Sequence, residues 1–163
     1  MATSGSFTLP GHSRVWIYQS SRFLQPEEIK HIENKAEEFL ASWNSHGMDL
    51  LAEIKVLDKL FVVLVADEMK AKASGCSIDK SVRLIKSLEE ELNISLTGRT
   101  TIAYIDSNNT IQLKNFQELR SAIDKGELTP QTKIYNNLVS SLSDFEHSRI
   151  LPANESWLMQ IPA

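Results

Sequence analysis

The chain has one cysteine, Cys76, in 163 residues. That count excludes an internal disulfide and any cysteine-built structural zinc site. Cationic charge is also scarce: Lys and Arg are outnumbered by Asp and Glu, and the net charge is −4. The basic residues are scattered, which argues against a nucleic-acid surface. Long hydrophobic runs are missing too. The longest strongly apolar run, Leu60 to Ala66, "LFVVLVA", falls well short of the roughly 20 residues that a membrane-spanning helix requires. The start, "MATSGSFTLPGHS", has no basic-then-apolar signal pattern. These absences leave a soluble, cytoplasmic protein as the expectation, with no membrane insertion and no nucleic-acid partner.

What is present suits a folded domain. Apolar residues make up 42% of the chain, enough for a sizeable core. Residues 1–12 read as a flexible arm, and 13–163 as one α+β domain. "RVWIYQS" is β-branched and aromatic, as strands are. Pro26, followed by Glu27 and Glu28, marks a helix start. Ile29, Ile32, Ala36, Phe39, Leu40 and Trp43 continue it at helical spacing, with Gly47 as a stop. "LAEIKVL" alternates, and "LFVVLVA" reads as a fully buried strand. Asp58-Lys59 between them makes a hairpin. Ile78, Val82, Ile85, Leu88 and Leu92 trace a second amphipathic helix. "RTTIAYI" and "TIQLK" flank a "DSNN" turn, and Asn115 caps a third helix carrying Phe116, Leu119 and Ile123. "KIYNNLV" opens as a short strand, "LVSSLSDF" is a helical candidate, and the tail is loop-like with Trp157 packed down. The order β-α-β-β-α-β is that of a ferredoxin-like unit. It predicts a two-layer sandwich, a mostly antiparallel sheet with helices on one face, plus C-terminal additions.

Several segments taken together, "SRVWIYQSSRF", "SWNSHG", "ASGCSIDKSVRLI", "KIYNNLV" and "PANESW", carry a resemblance. The chain resembles an uncharacterised family of small bacterial proteins often labelled "ABC transporter ATPase". The likeness runs roughly from Ser13 to Trp157. It implies kinship only and brings no substrate, cofactor or catalytic residue with it.

The ATPase label can be weighed on the residues. "FVVLVADE" has the pattern of a Walker B strand ending in Asp67 and Glu68, and "GCSIDKS" places Lys80-Ser81 after Gly75. A P-loop needs a second glycine before the lysine so that its N–H groups converge on phosphate. That glycine is absent. "DEMKAKAS" separates Gly75 from the strand, and the B-like segment comes first in the chain. ATPase activity is therefore disfavoured.

Two readings of the stretch around Cys76 remain beside a plain serine-capped turn. A thiol at a helix N-terminus is favoured as thiolate. In an alternating topology His46 lies on the same rim, giving a Cys76–His46 pair as the catalytic candidate for a small thiol-dependent enzyme or redox protein. His12, Arg14, Asp79 and Asp106 belong to that rim too. Alternatively, Ser74, Gly75 and Ser77, with Lys80, form a cradle for a small anionic ligand. No complete catalytic motif is present, so a binding or interaction domain for a small molecule or protein is preferred over an enzyme. No metal constellation and no cofactor motif stand out. Oligomeric state is not encoded in any pattern.

Overall fold

A computed structural model gives the fold and describes residues 6–45 and 47–160. The elements in order are β1 (Arg14–Gln19), α1 (Pro26–Ser42), β2 (Asn44–Ser45), β3 (Met48–Asp49), β4 (Leu51–Leu57), β5 (Phe61–Asp67), α2 (Gly75–Leu92), β6 (Thr101–Ile105), β7 (Ile111–Asn115), α3 (Phe116–Asp124), β8 (Lys133–Tyr135), α4 (Leu142–Ser148) and β9 (Ile150–Pro152). Two short 3-10 turns, Ala153–Glu155 and Trp157–Met159, follow. The class is α+β, as expected.

Local chemistry sets most element ends. Pro26 stands in the first turn of α1, where its missing N–H costs nothing. The Glu28 side chain accepts from the Gln25 N–H at 2.8 Å. Asn115 accepts from the Glu118 N–H, while Glu118 accepts from the Asn115 N–H, a reciprocal box at the start of α3. The β4–β5 hairpin turns through Asp58 and Lys59, whose φ angles of 54° and 55° have the positive sign that tight hairpin turns demand.

The first sheet has the order β1-β5-β4, antiparallel throughout. That is the split arrangement of a ferredoxin-like unit, with β5 inserted between β1 and β4. The next strand departs from it. β6 does not join β1; it belongs to a second antiparallel sheet of order β7-β6-β8-β9. A two-stranded ribbon of β2 and β3 completes the set.

The departure follows from β5. Phe61 through Ala66 are all buried, so both faces of β5 need apolar cover. On one face Val62 meets Ile32 of α1 and Ile85 and Leu88 of α2, and Leu64 and Ala66 meet Trp43. On the other, Phe61, Val63 and Val65 share a cluster with Ala103, Tyr135, Leu142 and Phe145. A two-layer sandwich would leave Val63 and Val65 in water. The second sheet covers them, and its own outer face, through Ile102, Tyr104 and Ile134, packs on Leu119 and Ile123 of α3. The layers are thus helices, sheet, sheet, helix: four where the sequence suggested two.

At one end the outer edge of β1 is taken by another segment. The Val15 N–H donates to the Ser140 carbonyl at 2.9 Å and the Leu142 N–H to the Ser13 carbonyl at 2.8 Å. Residues 6–12, which read as part of a flexible arm, are docked here. Phe7 is buried edge-on to Phe145, and the Thr8 N–H and hydroxyl both donate to Glu53.

Candidate functional site

The start of α2 is a serine-capped turn. The Ser74 hydroxyl accepts from the Ser77 N–H at 3.2 Å. Ser77 is buried; its hydroxyl donates to the Asn44 carbonyl at 2.6 Å, and its own carbonyl accepts from the Trp43 indole N–H at 2.8 Å. The Ser77 side chain is therefore committed to fastening α2 onto the end of α1. Gly75 is exposed, and a Cβ there would meet nothing within 4 Å, so no close approach requires glycine. Cys76 and Lys80 are exposed. Ser81, the hydroxyl a P-loop would offer to a metal, is buried and donates to the Ile78 carbonyl at 2.6 Å. His46 lies outside the described residues.

The rim expected around this turn is assembled in part. Asn44 and Ser77 meet there, His12 pairs with Asp67 at 3.0 Å, and Arg14 approaches Glu68 at 3.8 Å. Glu68 also accepts from the Ala73 N–H at 2.8 Å, one residue before the cap. The Met69 N–H, and then the His12 imidazole, hold the Asp67 carboxyl below the usual carboxylate range. Glu68 thus lies against the approach to α2 with Arg14 as its counter-charge, while the Ser74 and Ser77 hydroxyls are within hydrogen-bond distance of each other at 2.9 Å. Asp106 is elsewhere: it sits in the β6–β7 hairpin and accepts from the N–H groups of Asn108 and Thr110 in its own turn. Among the described residues, no cluster of three or more His, Cys, Asp or Glu side chains could hold a metal.

A different place has the form of a binding site. Between β1 and the start of β6, which are not paired, a cleft of about 550 Å³ opens along β1. Ile17, Tyr18 and Gln19 form one wall, and Leu96 to Arg99 with Thr101 and Ile102 form another. Tyr135, Leu138 and Trp157 close it. The volume lies inside the range of about 300–1,000 Å³ typical of small-molecule sites, and the mix of apolar walls with a few polar groups is also theirs. Among the described residues, Arg99 is the one charged side chain lining the cleft. Trp157 stacks on Phe116 with centroids 6.1 Å apart, which fixes its ring.

Polar groups run across the cleft as a chain. The Asn137 side-chain amide donates to the Gln19 side-chain oxygen Oε1 at 2.9 Å, and the Gln19 side-chain amide donates to the Thr101 main-chain carbonyl at 2.9 Å. The Asn137 side-chain oxygen is buried without a hydrogen-bond partner among the described residues. Burial raises the Tyr18 hydroxyl pKa. It also pushes Tyr135 up to about 12, helped by the nearby Asp58 carboxylate and opposed by Arg149.

No family model, curated protein or solved structure matches this chain.

Sequence reasoning missed the cleft. Among the described residues its lining comes from four separated segments, none with a local motif. One signal was available: Gln19 ends an otherwise apolar and aromatic strand and is buried there at 8% exposure. A buried amide must find partners, and here they lie on both sides of the opening.

Proposed function

We propose that this protein is a binding domain and that its ligand lies in the cleft between the β1 edge and β6. The observation that carries this reading is the cleft itself, with its apolar walls and the Arg99 guanidinium among its lining. A ligand with an apolar body and one negative group matches that lining. The small anionic ligand expected from the sequence is thus reassigned from the start of α2, where the Ser74 and Ser77 hydroxyls are engaged within the protein, to the cleft. The exposed Cys76 is left as part of a structural turn, so a thiol enzyme is the weaker alternative. We also propose kinship with the small bacterial proteins that carry the ATPase label, on the quoted segments alone, and a cytoplasmic setting. Neither brings an activity with it, and the inward-turned Ser81 speaks against nucleotide hydrolysis.

A screen of aromatic and aliphatic carboxylate fragments, followed by amide chemical shifts, tests the proposal. Saturable shifts are expected at Tyr18, Arg99 and Leu138. Arg99→Ala should weaken carboxylates about tenfold or more, the scale of a hydrogen bond to a charged group, and leave neutral amide analogues unchanged. Fragments that bind elsewhere on the protein and leave the cleft unperturbed at millimolar concentration, with no other ligand found there, overturn the reading.

A further inference from the structure

The cleft occupies the slot that a fourth strand would fill in a ferredoxin-like sheet. Hydrogen-bond parity identifies which main-chain groups face it. The Ser20 N–H donates to the Leu60 carbonyl on the β5 side, whereas the Ser13 carbonyl and the Val15 N–H bond outward to residues 140–142. In an antiparallel strand both main-chain groups of a residue point to the same side, and the side alternates. Even-numbered residues of β1 therefore face β5, and Ile17 and Gln19 present their N–H and C=O groups outward. No hydrogen bond to those groups is found among the described residues. Ile17 and Gln19 both line the cleft.

The Gln19 side chain keeps the slot from closing. It reaches the Thr101 carbonyl, an acceptor that a β1 N–H would take if β6 were paired there. β6 is committed instead to β7 and β8. The result is a short unpaired sheet edge, inside a cleft rather than on open surface, with a cation beside it. An unpaired strand edge is a template for another chain, and recognition by strand addition combines main-chain bonds with pockets for alternate side chains.

We propose that the cleft is a strand-accepting slot for an extended peptide segment that carries a carboxylate. The peptide's main chain pairs with Ile17 and Gln19, its apolar side chains lie between Tyr18, Leu96 and Trp157, and its carboxylate meets Arg99. The free edge from Ile17 to Gln19 measures roughly 7 Å at about 3.4 Å per residue, so the paired part is two or three residues long. This inference rests on the cleft being the binding site.

The test is affinity selection from a library of random, end-capped nonapeptides on the full chain, with the selected peptides followed by amide NMR. The expected result is slowed amide exchange at Ile17 and Gln19. N-methylation of one pairing peptide amide should cost at least tenfold in affinity, while methylation of its neighbours costs little. Replacing the peptide's acidic residue by its amide should weaken binding to the unaltered protein but not to Arg99→Ala. Peptides that bind the cleft but are indifferent to N-methylation at every position overturn strand addition. So do carboxylate fragments that bind while no peptide does, and in that case the cleft reading survives. If neither class perturbs the cleft, both proposals fall.

Discussion

Glu28 shows how much one side chain is asked to do. Its carboxylate accepts two bonds from Arg22, at 2.7 and 2.9 Å, and one from the Gln25 N–H. The Arg22 bonds first, then the Gln25 N–H, bring its pKa down to about 2. A carboxyl whose folded pKa lies below its unfolded value contributes stability above the unfolded pKa and loses it as pH falls through the folded one. Acid unfolding should therefore steepen between about pH 4.5 and 2, and Glu28→Gln should flatten that part of the curve when urea midpoints are measured against pH. Residues of this kind are poorly legible in a sequence. Arg22 and Glu28 flank a helix start without any spacing rule that pairs them. Gln19, Arg99 and Asn137 are farther apart still. Each looks ordinary alone, and only the fold brings them to one opening.

Elements are more legible, because each carries its own signals. Pro26 with two acidic residues, Asn115 with Glu118, and the serines around Cys76 all mark helix starts through local hydrogen-bond needs. The pairs β2–β3 and β8–β9 were harder, since runs of two or three residues have no period to read. The α2 start offers a direct comparison of two adjacent readings. Ser74→Ala removes the cap on Ser77 and should cost about 1 kcal/mol in urea unfolding. Cys76→Ala, at an exposed position, should stay within about 0.5 kcal/mol. It should also leave ligand binding in the cleft unchanged. A loss of binding on Cys76→Ala with stability intact would return attention to the thiol.

At the scale of the whole molecule, the antiparallel β1-β5-β4 arrangement follows from the element order, while the stacking of sheets does not. The clue was nonetheless present in "LFVVLVA": a strand apolar on both faces conflicts with helices on one face only. Element order says nothing of what covers the second face, and that cover is drawn mostly from residues 103–150, with Phe7 and Leu9 from the start of the chain. Paired truncations test the four layers. Val62 faces the helices and Val63 the second sheet, and both are almost fully buried. Val62→Ala and Val63→Ala should each destabilise by about 2 kcal/mol in chemical denaturation; a two-layer molecule would tolerate the second change almost without cost. β5 thus belongs to both cores at once. A fluctuation that detaches either outer layer still leaves the strand bonded between β1 and β4 and covered on its remaining face. Its amide protons should therefore exchange at the rate of global opening, making β5 the slow-exchanging spine of the molecule, and native-state hydrogen exchange that ranks β5 amides no slower than those of β6 would contradict this.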